Sequence, residues 1–136
     1  MNCENVNFLI IFLLALINPS LPSAYEIGFN SGSKVAHTAE DGKQYGEDRP
    51  YTVANSSGYV GGYVGKSPDG VKSGGTRNFD LYVMDRRGMS QYRFNLPDGP
   101  YIVKLHFSET EHSWAKLRVS DIWIEEQRVL EDFDIF

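Results

Sequence analysis

From Tyr92 to Ser108 apolar and polar residues alternate with a period of two. Tyr92, Phe94 and Leu96 fall on one face, with Arg93 and Asn95 on the other. After Pro97-Asp98-Gly99-Pro100, Tyr101, Val103, Leu105 and Phe107 share a face opposite Lys104, His106 and Ser108. That period predicts strands, because successive side chains of an extended chain point to opposite faces. The Pro-Asp-Gly segment between them is a turn: proline presets φ and glycine admits positive φ. The alternating pattern begins at Leu81. Two further β-rich runs, Leu117 to Ile124 and Arg128 to Leu130, flank Glu125-Glu126-Gln127. Upstream, Tyr25 to Arg77 is rich in Gly, Ser, Asp, Asn and Tyr. It predicts one strand, over Tyr25-Glu26-Ile27-Gly28-Phe29, followed by turn-dense loops. The run Ser57-Gly58-Tyr59-Val60-Gly61-Gly62-Tyr63-Val64-Gly65 lacks the Lys-Ser/Thr ending and following helix of a phosphate-cradling loop. It is expected to be a loop in which rings pack while the backbone turns. No segment after the N-terminal apolar run repeats at 3.6 residues, so the expected fold is all-β, with two packed antiparallel sheets.

The N-terminus changes the picture of where the protein works. An apolar run from Phe8 to Ile17, followed by Asn18, Pro19 and Ser20, has the form of a secretory signal peptide over residues 1–24. It is too short for a membrane span of about 20 apolar residues. The segment before it has no Lys or Arg, and cleavage before Tyr25 would set Pro22 at the −3 position; the other reading is a buried or interfacial helix. A leader implies a secreted or periplasmic protein, or one in the endoplasmic-reticulum lumen or outside the cell if the source is eukaryotic. It leaves residues 25–136 as one domain of a size that supports a single core. Cys3, the only cysteine, would leave with the leader, so no disulfide framework, thiolate nucleophile or cysteine metal ligand remains. A net charge of −5 argues against nucleic acid as a partner and is compatible with neutral sugars.

Several ordered pieces carry a family resemblance. They are Phe29-Asn30-Ser31-Gly32, Asp41-Gly42, Gly58-Tyr59-Val60-Gly61-Gly62, Leu81-Tyr82 through Arg86-Arg87-Gly88, and Tyr92-Arg93-Phe94. Leu96 to Tyr101, Leu105-His106-Phe107-Ser108-Glu109 and Val129 to Ile135 complete the set. In this order and spacing, residues 25–136 resemble the malectin domain, most closely the modules appended to bacterial β-galactosidase-type glycoside hydrolases. The resemblance implies a jelly-roll β-sandwich of the galactose-binding-like type that binds carbohydrate through loops at one end and does no chemistry. It also implies an incomplete module, because the family continues past Asp134-Ile135 into further strands. The family's lectin site has a tyrosine matched by Tyr59. A second aromatic is replaced by Arg87, an aromatic pair by Glu111 and His112, and a closing aspartate belongs to the strands that would follow. Ser120 stands where an aromatic often precedes Asp121. Glu125-Glu126 stands where Asn-Gly often makes the hairpin turn, which wants the positive φ that Glu resists.

Sugar recognition needs flat apolar surface together with hydrogen-bonding groups. The candidate carbohydrate-binding residues are Tyr59, Arg86, Arg87, Glu109, Glu111 and His112. Tyr63 and Trp114 could add surface, although packing is their expected role, and Arg86 could equally pair with Asp85 or a neighbouring strand. Glu109 and Glu111 could be read as the two carboxyls of a glycosidase. Such pairs normally face each other across a cleft, and neither glutamate has surroundings that would raise its pKa, so no catalytic residue is expected. His37, His106 and His112 have no zinc spacing. Calcium at Glu40, Asp41 or Asp48 is the weaker alternative to having no metal, and no cofactor is implied. Asn55-Ser56-Ser57 is a glycosylation sequon, meaningful only in a eukaryotic secretory pathway. The expected function is a non-catalytic carbohydrate-binding module for a neutral oligosaccharide or polysaccharide, with a catalytic domain in a longer parent chain. The alternatives are a structural or protein-interaction sandwich that has lost its sugar site, and a relict that does not fold alone.

Overall fold

The computed structural model describes residues 11–15, 26–70 and 74–136. The ordered elements are nearly all strands, as the alternating pattern predicts. They are β1 (Ile11–Ala15), β2 (Glu26–Asn30), β3 (His37–Thr38), β4 (Gln44–Glu47), β5 (Ser57–Lys66), β6 (Met84–Phe94), β7 (Ile102–His106), β8 (Val119–Ile124) and β9 (Gln127–Asp134). One sheet runs β3-β4-β2-β1-β7, and β5-β6 and β8-β9 form two-stranded sheets. The pairing is antiparallel except between β2 and β4, which run parallel through Phe29↔Gly46 and Asn30↔Glu47. Of the segment expected to be a leader, only Ile11–Ala15 lies within the described residues; it pairs with β2 on one side and β7 on the other.

Two local expectations are corrected. The glycine-tyrosine run is a ten-residue strand, β5, with a bulge between Val60 and Gly61. Gly62 gives clearance, since a Cβ there would lie 2.8 Å from the Met89 amide nitrogen across the ladder, while Gly61 supplies a φ of +74° at the bulge. Leu81 does not begin a strand. Phe79–Tyr82 is a 3-10 turn that drives Leu81 into a cluster with Ala39 and Tyr45. The Pro97–Pro100 turn joins strands of different sheets, since β6 pairs with β5 and β7 with β1. Neither proline has an N–H to donate to a ladder on either side of Asp98-Gly99, and the turn instead carries the chain between sheets.

Glu125-Glu126 does make a two-residue hairpin loop between Ile124 and Gln127, with Glu125 at φ +56°. The aromatic core centres on Phe29, 2% exposed, whose ring lies 5.8 Å from Tyr92 and 5.9 Å from Phe94. Phe107 and Phe133, 4.9 Å apart, tie the end of β7 to β9. Leu96, Tyr101, Leu105, Ile122 and Trp123 help to wall a cleft of about 690 Å³ between β6, β7 and the β8–β9 hairpin.

Candidate functional site

The two arginines in the middle of β6 point to opposite sides of the strand, and each organises one layer of the site. Arg86 turns inward. Its Nε donates to Asp48 Oδ2 at 2.8 Å, and both side chains are almost wholly removed from solvent. Asp48 also accepts from the Gly32 amide and the Tyr92 hydroxyl, each at 2.8 Å. The Tyr92 proton is thereby committed, so Ser31, 2.8 Å away, donates to Tyr92 Oη. Burial, reinforced by the Asp48 charge, pushes the Tyr92 hydroxyl far above its ordinary pKa and keeps it a donor.

This hub accounts for Phe29-Asn30-Ser31-Gly32 residue by residue. Phe29 is core, Asn30 Nδ2 bonds the Val35 carbonyl at 3.0 Å, and Ser31 and Gly32 join the hub. Gly32 sits at φ +79°, and a Cβ there would come within 2.8 Å of the Asp85 amide nitrogen. Tyr59, on β5 opposite Tyr92, has one face of its ring covered by the Arg86 guanidinium, 3.5 Å from the ring centroid.

Arg87 turns outward. Its Nε and Nη2 hold Asp85 at 2.6 and 3.2 Å, and the same guanidinium grips both oxygens of Glu111, with Nη1 at 3.1 Å from Oε2. Arg118 Nη2 reaches the Glu111 Oε2 atom at 3.0 Å, and its Nε lies 3.3 Å from Glu109 Oε2. Glu109 Oε1 then accepts the backbone N–H groups of Glu111 at 2.8 Å and His112 at 3.0 Å, setting the course of the loop. The row Asp85–Arg87–Glu111–Arg118–Glu109 alternates in sign throughout. Its bond to Asp85 holds Arg87 well above its ordinary range. Burial alone would raise the Glu111 carboxyl, but the Arg87 hydrogen bond and the two guanidinium charges outweigh it and hold the carboxyl below its usual range. Gly65 makes the arrangement possible, because a Cβ there would overlap Arg87 Nε and Asp85 Oδ1.

Of the six expected residues, Arg87, Glu109 and Glu111 meet in the outer row. The His112 amide joins them through Glu109, while Tyr59 and Arg86 belong to the inner hub. Arg86 pairs with Asp48, and it is Arg87 that takes Asp85. Glu111 is held low, the opposite of what a general acid needs. Tyr63 and Trp114, expected to pack, are exposed at 58% and 74%. Tyr63 is the cross-strand partner of Arg87, which puts an open ring beside the outer row. Arg118 and Asp85 were not among the candidates: nothing in its local sequence marks Arg118, and Asp85 was read only as a partner for Arg86.

Among the described residues no group of three or more His, Cys, Asp and Glu could hold a metal ion. Asp48 is taken by Arg86, Asp41 by Lys43 and Glu40 by Arg77. The sequon is folded into a turn, with Asn55 Nδ2 on the Pro50 carbonyl at 3.0 Å and Ser57 accepting from Arg49 at 2.9 Å.

The strand content and the layered sheets define a β-sandwich module. The profile of the malectin domain matches residues 25–136, and the chain belongs to that family. Malectin is a carbohydrate-binding, non-catalytic domain. Comparison with curated proteins and with solved structures gives no match.

Proposed function

We propose that this chain is a non-catalytic carbohydrate-binding module of a secreted protein, serving a glycoside hydrolase by holding a glycan near its catalytic domain. The gain is in local concentration. Family membership supports the binding role. The observation that carries the location is the exposed Tyr63 ring beside Arg87 and Glu111: apolar surface for a sugar face next to groups that bond its hydroxyls. The test is a glycan screen of the full chain against its Tyr63→Ala variant. Binding that falls at least about tenfold in the variant, without loss of fold, supports the site. A screen with no binder sinks the reading.

A second reading, a structural or protein-interaction sandwich, is favoured by the covered face of Tyr59, the aromatic that matches the family's site. Glycan binding indifferent to both Tyr59→Ala and Tyr63→Ala would support it. Secretion is tested by the N-terminal mass of protein released from an expressing cell. A mass beginning near Tyr25 would also mean that β1, inside the leader, is absent from the released form and leaves β2 and β7 without the strand between them.

A further inference from the structure

We propose that Arg87 and Arg118 form a carboxylate-binding site that Glu111 fills in the free chain and a uronic-acid residue of a glycan takes over. The inference rests on the carbohydrate-binding reading and names the ligand class of that site. Five charged groups make the outer row, three carboxylates against two guanidinium groups. Asp85 belongs to Arg87 and Glu109 to Arg118; Glu111 is the carboxylate they share. It is also the outermost member, its side chain 23% exposed against 15% for Arg87 and 5–7% for the other three. With Glu111 swung out, each arginine keeps one partner and the charges balance two against two. The Nη atoms of Arg87 and Nη2 of Arg118 would then converge on the place of one carboxylate. A guanidinium fork binds that group bidentately and discriminates it from a hydroxyl by charge as well as geometry.

Glu111 can leave without unpairing a strand. It lies on the loop between β7 and β8, and its backbone is held separately by Glu109. Tyr63 stands opposite Arg87 on β5 with most of its surface open, so a pyranose ring held by its carboxylate would have an aromatic face within reach. The exchange trades an internal ion pair for an external one, which keeps the wild-type affinity modest. Removing the internal competitor then strengthens it.

The experiment is calorimetric titration of the full chain with galacturonate, glucuronate and mannuronate oligomers, each beside its carboxyl-reduced counterpart. Wild type, Glu111→Gln and Arg87→Lys are compared, with near-UV circular dichroism as the check on folding. The expected result is a uronide that wild type prefers over its reduced form. Glu111→Gln should tighten the uronide about tenfold and leave the reduced form unchanged, and Arg87→Lys should erase the preference. Equal affinity for both forms in wild type and Glu111→Gln overturns the carboxylate site while leaving sugar binding intact. No binding of either form, together with an empty screen of neutral glycans, overturns both.

Discussion

Replacing Asp48 with alanine should cost more stability than any other single truncation of a side chain in the domain. The carboxylate accepts three hydrogen bonds at 2.8 Å, from the Gly32 amide, Arg86 and Tyr92, and its side chain has no solvent contact. Its removal strands the Arg86 guanidinium, itself 7% exposed. Breaking one side of a buried ion pair costs about 3–5 kcal/mol, and each buried donor left unpaired adds about 1–3 kcal/mol. These terms overlap, because water entering the vacated space serves all three donors, so about 4–5 kcal/mol is the expected total. Against a total stability of about 5–15 kcal/mol, that is enough to unfold a marginal domain. Arg86→Met should cost less, about 2–3 kcal/mol, since Asp48 keeps two donors. The double variant should cost clearly less than the sum, because neither charge is then stranded. Urea unfolding followed by far-UV circular dichroism reads all three; Trp114 and Trp123 are exposed and would report poorly by fluorescence. An Asp48→Ala cost below about 1 kcal/mol, or strict additivity in the double variant, would refute the buried hub.

Two glycines separate backbone clearance from side-chain clearance. Gly32→Ala should cost at least about 3 kcal/mol in urea, since its Cβ meets Asp85 main chain at positive φ. Gly65→Ala meets only side-chain atoms and should cost about 1 kcal/mol, yet its displacement of Arg87 should let the Glu111 carboxyl titrate nearer its ordinary range by carbon-13 NMR. Glu125→Gly should raise the unfolding free energy in urea by about 0.5–1 kcal/mol, because Glu125 sits at φ +56°. Burial, with Lys43 and Lys104, lowers the pKa of His106 from 6.5, so below about pH 6.5 the unfolded chain binds that proton first and stability falls. The Glu111 contribution is present above its unfolded pKa near 4.5 and lost as pH falls through its lower folded value. Thermal midpoints between pH 3 and 8 should therefore decline in two stages, and His106→Gln should remove only the upper one.

Much of the strand content was legible because alternation survives in a single sequence. Tyr92, Phe94 and Val103 announce strands whatever the rest of the chain does. β5 was not legible, since its glycines look like turn residues. The reason for Gly62 and Gly65 lies on β6, in the backbone at Arg87 and Met89 and in the side chains of Asp85 and Arg87. The same limit hid two of the five members of the outer row. Glu109, Glu111 and Arg87 are close enough to family motifs to be singled out, but Arg118 and Asp85 matter only through ion pairs that folding brings together. The Pro97–Pro100 turn was legible from its local chemistry, while the partners of the two strands it joins are set by edges elsewhere in the chain.

Arg86 and Arg87 are neighbours with different freedom to change, and the difference follows from what each one leaves behind. Substituting Arg86 leaves a buried carboxylate short of a partner, and substituting Asp48 leaves a buried guanidinium, so neither can change alone without a cost of several kcal/mol. Gly32 and Tyr92 are bound into the same set by hydrogen bonds of 2.8 Å. In the outer row Glu111 is the most exposed member and its loop is anchored through Glu109, so its loss still leaves Arg87 with Asp85 and Arg118 with Glu109. The inner hub therefore holds the fold to one solution, while Glu111 in the outer row can change without stranding a buried charge. The proposed ligand class rests on Arg87, Glu111, Arg118 and Tyr63, which make up the outer row and its border rather than the hub.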